Sequence, residues 1–208
     1  PTYIEVPSRT TGNDVFSSQP SINDWYETIK INYGVDYLNG RQTYFNPIPN
    51  TWYRMAEILE FWSLKGVDCF RADMAEMIPV EFWGWVTRRL KTKFQELKFI
   101  AEVYNPGLYQ SYIFDGGFDY LYDKEEFYNF VREIMTGRAP ATLLTQCWQR
   151  QEGLGKHLLR FLENHDEQRI ASPQFCGNAK SAVPAMIVAC TMHQGPLMIY
   201  FGQELGES

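Results

Sequence analysis

The chain has 208 residues, and 19 Lys and Arg against 25 Asp and Glu leave it a net charge of −6. That length can bury a sizeable core in one large domain or two small ones, and 45% hydrophobic with 21% charged residues excludes disorder over most of the chain. The acidic balance argues against a surface built for nucleic acid or anionic membrane, and no apolar run approaches the roughly 20 residues of a membrane span.

Pro1-Thr2-Tyr3-Ile4-Glu5 shows no basic-then-apolar leader, so the opening reads as the interior of a longer product and the compartment is left open. Residues 1–23 are polar and broken by Pro7 and Pro20, which suggests loop or a loosely held arm. Residues 24–50 mix aromatics with Asn and Gly and suggest an irregular insertion. Asn50 or Thr51 can then cap a helix with Trp52, Met55, Ile58, Leu59 and Trp62 on its apolar face. Gly66 stops it, and Val67-Asp68-Cys69-Phe70-Arg71 predicts a short buried strand with Cys69 as a buried thiol. Cys147, Cys176 and Cys190 share no C-x-x-C spacing with it, so free thiols are expected, with neither disulfide nor zinc.

A helix follows Pro79 (Phe82, Trp83, Trp85, Val86, Leu90), then a strand over Lys98–Glu102 and an apolar run at Phe118–Leu121. Helices near 124–136 and 140–151 lead to a strand from His157 to Leu162, a helix over Ser181–Thr191 and a last strand from Pro196 to Phe201. Five short apolar strands separated by helices imply βαβ units and a parallel sheet.

The charged residues fall at strand ends. Arg71 and Asp73 close the first strand, Glu102 the second and Asn164-His165-Asp166 the fourth, while the last runs into Gly202-Gln203-Glu204. In parallel α/β structures these ends face one crevice, so the side chains converge. Clustered carboxylates serve either divalent-metal chemistry or glycoside chemistry, in which one is a nucleophile and a second, protonated one the general acid. Arg71 and Asp73 are two apart and share a strand face, and a guanidinium keeps its neighbour ionised. That suits a nucleophile better than a metal ligand, and the glycoside reading is favoured over an enolase-like metal site.

Gly66-Val67-Asp68-Cys69-Phe70-Arg71-Ala72-Asp73 resembles the G-x-x-x-F-R-x-D block of the α-amylase family of glycoside hydrolases. Phe99-Ile100-Ala101-Glu102-Val103 is similar to that family's catalytic-glutamate strand, and Phe161-Leu162-Glu163-Asn164-His165-Asp166 to its N-H-D block. Gly195 to Glu204 resembles its final-strand signature. The resemblance implies a (β/α)8 TIM barrel and a retaining mechanism, with Asp73 as nucleophile, Glu102 as acid and base, and Asp166 stabilising the transition state. Arg71, His165 and Asn164 would orient the nucleophile and hold sugar hydroxyls. Of the aromatic side chains, Tyr104 is the best candidate for substrate contact, because it follows Glu102 on the loop side. A retaining pair would place the Asp73 and Glu102 carboxyls about 5–5.5 Å apart.

The family's D-x-x-x-x-N-H block does not occur, and Asp24-Trp25-Tyr26-Glu27-Thr28 through Asn46-Pro47 resembles the stretch leaving the family's inserted domain. By that alignment residues 1–49 are inserted-domain remnant and loop, and residues 50–208 supply barrel strands four to eight. A whole barrel takes about 250 residues, so turnover by this chain alone is expected to be negligible, and its two raw sheet edges invite self-association. No cofactor is needed for the chemistry. The resemblance leaves room for a structural calcium, whose usual ligands lie largely outside this chain. The family often has Lys-His three and four residues after the nucleophile, where this sequence has Glu76 and Met77. The implied substrate is an α-1,4-glucan or malto-oligosaccharide. Transglycosylases of the same family and a non-catalytic relative used for interaction are the alternatives.

Overall fold

The computed structural model describes Ser21, Asn23, Asp24 and residues 31–208. The expected N-terminal arm, and the stretch from Trp25 to Lys30 in the inserted-domain resemblance, lie outside the described residues. Two sheets are present among those described. A small antiparallel hairpin pairs β1 (Val35–Asp36) with β2 (Gln42–Thr43). It replaces the wholly irregular insertion expected there, because Asp36 accepts hydrogen bonds from the backbone of Leu38 and Asn39 and closes the turn.

The second sheet is parallel throughout, in the order β3 (Cys69–Ala72), β4 (Lys98–Ala101), β5 (Tyr120–Tyr122) and β6 (Leu158–Leu159). Helix α1 (Asn50–Leu64) leads into β3, α2 (Val80–Lys93) crosses from β3 to β4, a 3₁₀ turn and the π-helical Ser111–Asp115 cross from β4 to β5, α3 (Asn129–Met135) and α4 (Leu143–Arg150) cross from β5 to β6, and α5 (Ala179–Thr191) follows β6. The sheet does not close on itself, and the architecture is a partial (β/α) barrel.

The expected fifth strand is a correction. Leu197 makes one parallel bridge to Arg160, with Arg160 N–H bonded to the Pro196 carbonyl at 2.9 Å and Met198 N–H to the Arg160 carbonyl at 2.8 Å. Pro196 has no N–H to extend the ladder, and beyond Met198 the chain turns into a 3₁₀ turn at Gln203–Leu205. The α1 face also differs. Trp52, Ala56 and Ser63 are buried, whereas Ile58 and Trp62 stand about half exposed, with Phe61 beside them. Neither Asn50 nor Thr51 caps α1 through its side chain. Cys69 is exposed, since it opens the edge strand β3 rather than a central one, and all four cysteines are free thiols.

Two cores flank the sheet. On one side Trp52, Phe82, Trp83, Phe99 and Phe118 pack edge to face, and the α2 residues Phe82, Val86 and Leu90 are buried almost completely. Each such side chain contributes about 1.5–3 kcal/mol by leaving water. On the other, Phe127, Tyr128, Phe161 and Phe175 join α3 and α5 to the sheet. Beside it lies a fully buried polar group. Asp123 accepts from Phe127 N–H (3.1 Å) and Gln151 Nε2 (2.7 Å), and Arg160 Nε stands 3.6 Å from its second oxygen. Loss of water pushes the Asp123 carboxyl up to about 7 despite Arg160.

Two tests follow from this packing. Gly84 lies in α2 where an added Cβ would collide with the Asp115 carbonyl. Ala gains about 1 kcal/mol of helix propensity over Gly, yet overpacking against rigid backbone costs about 1–3 kcal/mol. Gly84→Ala is therefore destabilising in urea unfolding, and a stabilised variant would refute the close approach. Asp123 keeps its proton in the folded chain at pH values where the unfolded chain, with an ordinary value of 3.8, has lost it. Its contribution is thus complete below 3.8 and declines as pH rises towards 7. Asp123→Asn is expected to flatten that decline; an unchanged slope would contradict the burial argument.

Candidate active site

The β3–β4 register pairs Ala72 with Ala101, so the next residues, Asp73 and Glu102, leave the sheet side by side. Arg71, one residue inside β3, reaches both: Nη1 lies 3.0 Å from Asp73 Oδ1 and Nη2 lies 3.2 Å from Glu102 Oε2. Its guanidinium also sits 5.4 Å from the centre of the Tyr122 ring, at the end of β5. Cation–π contact and two carboxylates hold Arg71 in one orientation.

Glu102 is 3% exposed, while the Asp73 side chain is 75% exposed. Burial, reinforced by a hydrogen bond to Asp73, raises the Glu102 carboxyl above its usual range. The same hydrogen bond, helped by Arg71, holds Asp73 below its own. Burial thus favours the protonated form of Glu102, and the Arg71 charge favours the anion of Asp73.

Backbone and side chains fix Glu102 further. Met74 N–H donates to Oε2 at 3.0 Å and the Tyr104 hydroxyl to Oε1 at 2.5 Å, while Ala75 N–H bonds the Glu102 carbonyl at 3.0 Å. Met74 has φ 44°, a left-handed turn that points its N–H at the carboxyl. Tyr104, expected to touch substrate, is in this structure a partner of Glu102.

Asn164, His165 and Asp166 follow β6. Asn164 is buried and its Oδ1 accepts from Asp166 N–H at 2.9 Å; His165 Nε2 lies 3.2 Å from Asp166 Oδ2, and both of these side chains are about half exposed. His165 lowers the Asp73 pKa through its charge, and Asp166 raises that of Tyr104, so the loop shares the electrostatic field of the strand ends. Two residues of this loop that sequence reasoning passed over hold it. Glu163, fully buried, accepts from Ile170 N–H at 2.5 Å and pairs with Arg169 at 3.1 Å, and Arg169 reaches the Phe201 carbonyl at 2.8 Å.

Tyr122 and Lys124, at the end of β5, carry no charge pattern that marks them in the sequence, yet they lie beside the site. Desolvation lowers Lys124, which is paired with Glu167 and feels the charges of Asp166 and Glu102. Gln203 and Glu204 sit on the turn after the Leu197 bridge. Among the described residues no three His, Cys, Asp or Glu side chains gather as a metal would require, and no helix there is long and apolar enough to cross a membrane.

A parallel α/β sheet with an arginine and two carboxyls at adjacent strand ends is a partial barrel with its polar centre at the carboxyl ends. No family model matches the chain. It is 27% identical over 103 residues to the α-1,4-glucan:maltose-1-phosphate maltosyltransferase of Cereibacter sphaeroides, covering 45% of this chain and 17% of the relative. It is 24% identical over 153 residues to neopullulanase 2 of Thermoactinomyces vulgaris, covering 72% and 26%. The cyclic α-maltosyl-(1→6)-maltose hydrolase of Arthrobacter globiformis superposes with a TM-score of 0.67 at 20% identity, over 77% of this chain and 37% of that one. The chain thus spans about a quarter or less of the length of these curated relatives. Relatives and structural neighbours are enzymes of the α-amylase family, and the chain resembles part of that family's catalytic domain.

Proposed function

We propose that the chain is part of a retaining α-glycoside hydrolase acting on α-1,4-glucan or malto-oligosaccharides, with residues 50–208 forming its share of the barrel. The observation that carries this is a buried Glu102 and an exposed Asp73 at adjacent strand ends, both reached by Arg71. It supplies an acid and a nucleophile at one pH. The Asp73 oxygen attacks the anomeric carbon as the glycosidic C–O bond breaks, and the Glu102 proton passes to the leaving oxygen. Water then attacks the same carbon, Glu102 takes its proton, and the bond to Asp73 breaks. Arg71 keeps Asp73 ionised until it attacks and again once water has displaced it, and Asn164, His165 and Asp166 hold hydroxyls of the reacting sugar. No step needs a cofactor or a metal.

The Arthrobacter neighbour has been solved in complex with maltose, which supports an oligosaccharide as the substrate class. A second reading is favoured by the relatives that are maltosyltransferases. Transfer to a sugar hydroxyl would use the same residues and exclude water from the second step. We further propose that the unclosed sheet needs neighbouring strands before it turns over substrate, and that its open edges otherwise pair with another chain.

Release of reducing ends from maltoheptaose and soluble starch tests this, for this chain and for an N-terminally extended form. Glu102→Gln is expected to lower the rate by about 10²–10⁴, and Asp73→Asn to abolish it. Redistribution into longer oligosaccharides without net reducing ends would select the transferase. Turnover indifferent to both substitutions would overturn the proposal.

A further inference from the structure

Glu76 lies three residues after Asp73, and its side chain is bound to backbone. Its Oε2 accepts two successive backbone N–H groups, from Tyr104 at 3.2 Å and Asn105 at 3.0 Å. Asn105 in turn accepts from Gly107 N–H at 2.9 Å and opens the 3₁₀ turn Pro106–Leu108. The segment carrying Glu76 is itself fixed, since Trp83 Nε1 donates to the Ala75 carbonyl at 3.1 Å and Ala75 N–H bonds the Glu102 carbonyl. One carboxylate oxygen thus ties the loop after β3 to the loop after β4, at the backbone of Tyr104 and of the residue that follows it.

We propose that Glu76 is a positioning residue for the proton donor: by clamping the Tyr104 and Asn105 amides it holds the Tyr104 hydroxyl on Glu102. The inference rests on the reading of Glu102 as general acid. The charge sign is part of the argument. A residue at this position must accept from two N–H donors, which a carboxylate does strongly and a lysine ammonium cannot do at all. The departure from Lys-His at Glu76-Met77 is therefore a change of task, from a cation free to face the cleft to an anion bound to backbone. Tyr104 donates to the ionised form of Glu102 and so favours that form, against burial and Asp73. Releasing Tyr104 leaves the acid more weakly oriented and harder to ionise.

The test compares Glu76→Ala, Glu76→Gln and Tyr104→Phe in the full-length protein. Glu76→Ala is expected to lower kcat/KM for maltoheptaose about tenfold to a hundredfold while sparing kcat/KM for 2,4-dinitrophenyl α-maltoside, whose departure in the first step needs no proton. It is expected to move the alkaline limb of kcat/KM to higher pH, as Tyr104→Phe does, and to add little to Tyr104→Phe in the double variant. Glu76→Gln, which still presents an acceptor oxygen, restores most of the rate. Amide exchange at Tyr104 and Asn105 accelerates in Glu76→Ala. Should that variant fail to fold, Glu76→Asp, one methylene short, gives the same readouts. An unmoved limb, equal losses on both substrates or unchanged amide exchange would each overturn the proposal. If Glu102→Gln itself leaves the rate intact, the general-acid reading has failed and the clamp loses its purpose. If Glu102→Gln is inactive but the Glu76 variants keep their limb, the clamp alone has failed.

Discussion

A carboxyl as deeply buried as Glu102 is costly to ionise, and the rest of the site is organised around that cost. The β3–β4 register puts Asp73 on the neighbouring strand end, Arg71 reaches both carboxyls, and burial favours the proton on Glu102. The Glu102 side chain is buried and that of Asp73 largely exposed. Burial on one side and the Arg71 charge on the other favour an acid and an anion side by side. The three donors on Glu102 and its neighbours, Met74 N–H, Tyr104 and Ala75 N–H, keep the geometry from relaxing.

The surrounding loops are held by buried charges whose job is structural. Glu163 and Arg169 tie the 163–170 turn to the Phe201 carbonyl, which steadies the segment carrying His165 and Asp166. Asp123, Gln151 and Arg160 do the same between β5, α4 and the Leu197 bridge. Breaking one member of such a group leaves the others buried without partners, and the cost exceeds the net worth of the interaction. A substitution in either group would therefore reach the site through loop position.

Much of this was legible in the sequence. Apolar runs of four or five residues bounded by turn signals located β3, β4 and β5, and the spacing of Phe82, Val86 and Leu90 gave the buried face of α2. Strand-end charges located Arg71, Asp73 and Glu102, because polar residues after an apolar strand have no other strand to enter. Other features turn on contacts between distant segments. Whether Ile58 and Trp62 are covered depends on what packs against α1, which the helix period does not encode. Helix α5 begins at Ala179, two residues ahead of the expected start, because Asn178 caps it by accepting from Ser181 N–H. The last strand failed for a local reason, Pro196, that was visible but outweighed by its apolar neighbours. Glu76 was seen as a departure from a pattern, but its two amide partners lie 28 and 29 residues away and only the fold brings them within reach.

The proton on Glu102 is the centre of the account, and carbon-13 NMR titration of the Asp73 and Glu102 carboxyls measures it directly. In the wild-type chain Glu102 should titrate above the ordinary glutamate range and Asp73 below the ordinary aspartate range. In Asp73→Asn, Glu102 should fall back towards its ordinary value, since the neighbouring anion is gone while burial remains. Two carboxyls titrating independently at ordinary values, or a Glu102 value indifferent to Asp73→Asn, would contradict it.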